Sequence, residues 1–274
     1  MELLLGKISA DRIKENVKKK IASYNRVPKM VVLMNEDDSS SVGYVNAQVK
    51  VGASLGIDVE VKKMPASEKA YLDEINCINN DDLVDACMIT RPLFKGADES
   101  KIFSTISSDK DVDCMNPMTL GELFVSKENA LIPATARAII EMIKDNNIDV
   151  VGKKVLVIGR SISVGKPAAM LLLNMNATVT IAHSKTTNLD ELLLDADIIV
   201  AAIGKPELID GNKVKSGAII LDAGIHYLDD KIVGDVKVSD NLKAISKVPG
   251  GVGSVTSACL MDNVTICYEK RNAR

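Results

Sequence analysis

Short apolar, largely β-branched runs alternate with helical stretches along this 274-residue chain, and that alternation constrains the fold more than any other feature. The runs are Met30–Met34, Ile57–Val61, Ala86–Thr90, Lys154–Gly159, Thr178–His183, Asp197–Gly204, Ala218–Gly224 and Ala244–Val248. Most read as continuous apolar segments, the mark of strands covered on both faces. Strands separated by helices imply parallel sheets with right-handed crossovers. The expected class is therefore α/β, and the length suggests two domains.

Composition narrows the function. Lys and Arg number 34 against 37 Asp and Glu, a net charge of -3, so no basic face for nucleic acid is advertised. Trp is absent and Phe numbers 3, which argues against base-stacking platforms. The cysteines (Cys77, Cys87, Cys114, Cys259 and Cys267) are scattered and form no C-x-x-C pair. Neither a disulfide framework nor a metal site is expected, and a reducing compartment fits best. The opening turns charged after three leucines, unlike a signal peptide, and no apolar stretch is long enough to span a membrane. A soluble, cytoplasmic protein is expected, with no nucleic-acid or membrane partner.

Ser9 or Asp11 is expected to cap a first helix carrying Ile13, Val17 and Ile21 on one face. Asp109–Pro117 reads as a turn-rich acidic stretch, followed by a helical pattern over Ala134–Ile143. Pro249-Gly250-Gly251-Val252-Gly253 breaks the chain before a last helix from about Ser257 to Tyr268.

The sharpest local signal is Val155–Ile158 running into Gly159-Arg160-Ser161-Ile162-Ser163-Val164-Gly165-Lys166-Pro167 and then a helix. Strand, glycine turn and helix is the arrangement in which backbone N–H groups at a helix start hold a pyrophosphate. The spacing is G-x-S-x-x-x-G, so the regular G-x-G-x-x-G fingerprint is not met. The next strand ends His183-Ser184-Lys185-Thr186, without the carboxylate that grips the ribose of NAD. Arg160, Ser184 and Lys185 can instead coordinate an additional phosphate, which favours NADP. His183 and His226, the two histidines, each follow a strand and read as partners of local backbone groups rather than bases.

The ordered set GRSISVGKP, HSKT, ADIIVAAIG, LDAGI, VGDV and VPGGVGSVT resembles the methylenetetrahydrofolate dehydrogenase/cyclohydrolase family across Gly152–Asn263. The segments SSSVGYVNAQVKVGASLGI, ITRPLF and SDKDVDCMNP resemble its first half more loosely. The resemblance implies an α/β folate domain over residues 1–121 and a Rossmann-type NADP-binding domain over 122–254. The C-terminal helix, about 255–274, would pack back on the folate domain. It also implies an active-site cleft between domains and a homodimer formed through the Rossmann sheets. The implied reaction is NADP-dependent oxidation of 5,10-methylenetetrahydrofolate to the methenyl form, followed in bifunctional members by hydrolysis to 10-formyltetrahydrofolate. Gly159, Arg160, Ser161, Gly165, Ser184 and Ile225 would hold the cofactor. Tyr44 and Asp113 would hold the substrate, with Thr90 and the loop Pro249-Gly250-Gly251 beside it.

Against the family's pattern, Gln48 stands where Y-x-x-x-K places its proton-handling lysine, and Thr90 replaces the glutamine of Q-x-P-x-P. Tyr44 and Gln48 share a helix face at i, i+4, whereas Lys50 starts from the opposite side. Glutamine orients a ligand but exchanges no proton near neutrality, and Arg91 is too basic to shuttle one. Pro133-Ala134-Thr135-Ala136 and Ser254 are further departures, of shape more than chemistry. The residues thus predict a catalytic group of Tyr44, Gln48 and Asp113 in which hydride transfer survives and hydrolysis is weakened. A dehydrogenase of another small substrate and a non-catalytic folate- or NADP-binding protein are the competing readings.

Overall fold

A computed structural model describes residues 1–272. In chain order the first elements are β1 (Glu2–Leu4), α1 (Lys7–Ile21), β2 (Lys29–Asn35), α2 (Val42–Leu55), β3 (Asp58–Met64), α3 (Glu68–Asn80) and β4 (Ala86–Ile89). Three helices follow: α4 (Glu99–Thr105), α5 (Pro117–Phe124) and α6 (Ala134–Asp145). Next come β5 (Lys154–Ile158), α7 (Gly165–Asn174), β6 (Thr178–Ala182), α8 (Leu189–Asp195) and β7 (Ile198–Ala201). The last are β8 (Ile209–Asp210), β9 (Ile219–Asp222), β10 (His226–Leu228), β11 (Lys231–Val233), β12 (Val236–Lys237), β13 (Ala244–Ser246) and α9 (Val252–Asn272).

Two compact units result. One comprises Met1–Asp11 with Ala134–Cys259; the other comprises Arg12–Pro133 with the chain from Leu260 onward. The first is built on a six-stranded sheet of order β1-β13-β9-β7-β5-β6, parallel throughout. Its central strands read as unbroken apolar runs because both faces are covered: Val155–Ile158 and Ile198–Ala201 are all buried. The second is built on a three-stranded parallel sheet, β3-β2-β4, whose middle strand is buried from Met30 to Asn35. Among the described residues no helix is long and apolar enough to cross a membrane.

The first helix begins earlier than the capping residues suggest. Gly6 O already accepts the Ala10 N–H at 2.9 Å, so Ser9 and Asp11 lie inside α1, with Ser9 buried. The apolar face is as expected, with Ile13 2% and Val17 0% exposed. The last helix starts at Val252, inside the glycine-rich stretch.

Both sheets share one topological feature. In the first, β5 runs through α7 to β6 on one side, and the chain then crosses to β7 on the other side of β5. In the second, β2 is followed by β3 on one side and β4 on the other. Each sheet therefore has a switch point at its carboxyl edge, where neighbouring connections diverge and open a crevice for ligands. Gly159 and Ala202 mark the first, and Glu36–Ser41 and Thr90–Arg91 the second.

Candidate active site

At the first switch point the chain leaves β5 in a turn that only glycine permits. Gly159 has φ +123°, and a Cβ there would lie 2.1 Å from Ala202 O. A Cβ on Gly165, the first residue of α7, would lie 2.1 Å from Gly159 O. Strand end, turn and helix start are thus in backbone contact. Ser161 Oγ accepts the N–H groups of Val164 at 3.1 Å and Gly165 at 3.3 Å, which fixes the turn. A cavity of ≈ 450 Å³ opens here, lined by Gly159, Arg160, Ser161 and Ser184 from the predicted set, and by His183, Ile203 and Lys205. Lys185 is not in the lining; Lys205, on the loop after β7, supplies the second cation. Another cavity, between Glu2 and Lys215, lies at the amino ends of the strands, the edge that α/β folds do not use for ligands.

Ile225, 53% exposed, follows β9, and its Cδ1 would touch a Cβ on Gly253 at 2.7 Å. Val248–Pro249 is cis, and Gly250 has φ +105°. Gly6 N donates to Gly250 O at 2.8 Å and Lys247 N to Leu4 O at 3.0 Å, which secures Pro249, Gly250 and Gly251 against the start of the chain. His183 Nδ1 accepts the Lys185 N–H, a local backbone group as expected, whereas the His226 Nε2 partner is the Asp235 side chain.

At the second switch point, α2 rises directly from the β2 turn. Asp38 accepts from Ser40 and Ser41, while Ser41 Oγ also donates to Arg91 O at 3.2 Å. This brings the turn before α2 against the turn after β4. Tyr44 is 43% exposed; burial of its hydroxyl, with the Asp113 charge second, pushes its pKa up. Gln48, one turn on, is 0% exposed in the buried stripe of Val45, Gly52 and Leu55, while Lys50 faces outward. Thr90 is buried, and its Oγ1 finds no hydrogen-bond partner among the described residues. An unsatisfied buried hydroxyl is costly and marks a place for a ligand's polar group.

Asp113 sits on a loop gripped on every side. Lys110, fully buried, donates through Nζ to the carbonyls of Ile78 and Asp81 at the end of α3. Asp111 accepts the N–H groups of Met115 at 3.0 Å and Asn116 at 2.8 Å, and Asn263 donates to Val112 O at 3.0 Å. Only Asp113 in this run keeps part of its surface open. Burial, then the Asp111 charge, pushes its carboxyl up to about 7, against a smaller downward pull from Arg91.

Tyr44, Arg91 and Asp113 therefore form one electrostatic group in one unit, and Gly159, Arg160, Ser161, Gly165 and Ser184 one cradle in the other. Sequence reading missed Lys205, Lys110, Asp222 and Asp235. The last two lie within quoted motifs, LDAGI and VGDV, where an acid inside a strand-rich run was the available signal. Among the described residues no cluster of His, Cys, Asp or Glu is arranged to hold a metal ion.

A parallel sheet with a glycine-rich turn at its switch point, joined to a second α/β unit with its own polar crevice, is the architecture of a two-domain nucleotide-dependent enzyme. Residues 133–272 match the tetrahydrofolate dehydrogenase/cyclohydrolase NAD(P)-binding domain, and residues 4–113 match the catalytic domain of the same family. The chain belongs to this family. It is 42% identical to the bifunctional protein FolD of Campylobacter hominis, with 100% of this chain and 99% of the relative covered. It is 40% identical to that of Caldanaerobacter subterraneus subsp. tengcongensis, covering 96% and 95%. Among solved structures, the bifunctional FolD enzyme of Campylobacter jejuni superposes with a TM-score of 0.94 at 35% identity, covering 99% of each chain. The Trypanosoma brucei FolD, solved with NADP cofactor and an inhibitor, gives 0.91 at 30% identity over 99% and 98%.

The doubt about hydrolysis raised by Gln48 is not borne out by these comparisons: the relatives are bifunctional by name, and both family domains match.

Proposed function

We propose that this protein oxidises 5,10-methylenetetrahydrofolate to 5,10-methenyltetrahydrofolate with NADP and hydrolyses the product to 10-formyltetrahydrofolate. The observation that carries the proposal is the pair of switch-point sites, a polar cavity at Gly159–Ser161 and an electrostatic group of Tyr44, Arg91 and Asp113 with the buried Thr90 beside it. The cradle fits the cofactor, because the cavity at this turn gathers the Arg160 and Lys205 cations and the Ser184 hydroxyl, donors suited to phosphate oxygens. NADP would supply the hydride acceptor.

The chain's own residues do the rest. Arg160, Ser184 and Lys205 hold phosphate charge in the cavity beside the Gly159–Ser161 turn. Ile225 and Pro249-Gly250-Gly251 shape the nicotinamide side. Tyr44 packs on the folate ring, Asp113 accepts from the pterin, and Thr90 and Gln48 orient it. Hydride transfer is chiefly a matter of alignment. We assign folate handling to the Arg12–Pro133 unit and cofactor handling to the Ala134–Cys259 unit. A cytoplasmic location and a homodimer complete the reading; β6 ends its sheet with Ile181 exposed, an edge suited to pairing with a second copy.

Purified protein mixed with 5,10-methylenetetrahydrofolate and NADP should yield reduced cofactor together with 10-formyltetrahydrofolate. Accumulation of methenyltetrahydrofolate would show that the chain does not carry hydrolysis. No reduced cofactor from folded protein would refute the dehydrogenase reading. Replacing both Arg160 and Ser184 with Ala should raise the KM for NADP by about tenfold or more and leave that for NAD nearly unchanged, since charged phosphate contacts are lost only for NADP. An unaltered NADP/NAD ratio would show that preference is set elsewhere.

A further inference from the structure

Asp235 is a heavily bonded side chain of the cofactor unit that the reaction leaves unused. It is 0% exposed, and its carboxylate receives four hydrogen bonds. Oδ2 accepts from Ile203 N at 2.6 Å and Gly204 N at 3.1 Å; Oδ1 accepts from Lys205 N at 3.1 Å. The fourth is from His226 Nε2 at 2.7 Å. A carboxylate can only accept, so the proton in that bond is on the imidazole. Three consecutive N–H groups closing on one carboxylate form a nest, and Gly204 takes φ +75° to make it.

The bonded segments are informative. Ile203 and Lys205 line the cavity that also holds Arg160 and Ser184. His226 follows Ile225, the expected contact on the nicotinamide side. Asp235 is itself held: its N–H and that of Val236 donate to Asp222 at 3.1 and 3.0 Å, and Asp222 also accepts from Gly224 N at 2.9 Å. The arrangement ties the loop after β7 to the loop after β9 through one buried charge. Burial pushes the Asp222 carboxyl up to about 6, against the pull of the three N–H groups that donate to it, and the Asp235 charge adds a smaller upward push. Apolar packing would hold two loops together without that cost. A carboxylate earns its place here because it collects main-chain N–H groups directionally, leaving side chains such as Lys205 free to face the cavity.

We propose that Asp235, braced by His226, is a positioning residue of the cofactor site, setting the Ile203–Lys205 loop and the Ile225–His226 segment in register for one NADP molecule. This rests on the NADP reading above. Asp235 touches neither substrate nor cofactor and acts through the two loops it joins.

The test compares Asp235→Asn, His226→Ala and His226→Gln with the parent, measuring NADP affinity by direct titration and the KM for each substrate. Asp235→Asn turns an acceptor into an N–H donor facing other donors. It should weaken NADP binding by about tenfold or more, while the folate KM stays within about twofold. His226→Ala should lower kcat and weaken NADP binding less, and His226→Gln, which keeps a donor, should recover most of both. Folded Asp235→Asn with parental NADP affinity, or equal changes in both KM values, overturns the proposal. If Asp235→Asn does not fold, the two His226 variants decide: equal loss in Ala and Gln overturns it, and recovery in Gln supports it. Failure of the parent itself to bind NADP would instead refute the cofactor reading.

Discussion

Replacing Gly165 with Ala should reduce NADP affinity by about 100-fold, the scale on which a displacement near 1 Å acts on a precisely built site. The added Cβ would lie 2.1 Å from Gly159 O, 2.6 Å from its carbonyl carbon and 3.0 Å from Arg160 N, all backbone atoms that cannot swing aside. Either α7 shifts along its axis or the Gly159–Ser161 turn lifts from the end of β5. Both disconnect the helix start from the phosphate cradle. The folate crevice belongs to the other unit, so folate binding should stay near the parental value. Gly121→Ala is the matched control, since a Cβ there meets nothing within 4 Å. Titration of all three proteins with NADP checks this; parental affinity in Gly165→Ala would mean that the turn does not hold the cofactor.

The second large effect is at Asp113. If its carboxylate accepts from the pterin, the folate KM should rise as pH falls below about 7, following the protonation of one group, because the carboxyl is pushed up to about 7. Asp113→Asn should raise the folate KM by about 100-fold near pH 8 and flatten the profile, through loss of a charge-assisted bond. Stability should move the other way. With the folded-state pKa above the unfolded one, the native protein binds more protons between about pH 4 and 7, so stability falls as pH rises through that window and levels off above it. Removing the charge should therefore stabilise the protein at pH 8 by about 2 kcal/mol, after allowance for screening at a part-exposed site. Thermal unfolding of parent and variant at pH 5 and pH 8 measures this. A variant less stable than its parent at pH 8 would show that the Asp113 charge is well solvated or well paired.

These sites were legible to different degrees. The eight apolar runs all contain strands; in central ones such as β5 and β7 burial on both faces leaves a continuous signature, while β3 and β6 keep exposed positions. The phosphate loop was readable from Gly159 and Gly165 because its chemistry is local. β1 was not: three residues carry no periodicity, and its strand character comes from pairing with β13 far along the chain. The start of α9 was misplaced because Gly251 and Gly253 read as breakers, whereas Gly253 is there to let Ile225 approach. Asp113 could be located by resemblance, but its grip by Lys110, Asp111 and Asn263 could not. Those bonds join segments up to 151 positions apart and leave no spacing to read. Asp235 was hidden for a related reason: apart from His226, its partners are backbone groups that any residue supplies.

The pairing of β1 with β13 also bears on how the protein is made. The two strands are separated by roughly 240 residues, which a ribosome adding ~5–20 residues per second takes on the order of 10–50 s to produce. During that interval Glu2–Leu4 has no neighbour to pair with, while β5, β6, β7 and β9 emerge in turn and can already assemble. The strand synthesised ahead of the other five in its sheet takes its place only after β13 has been made.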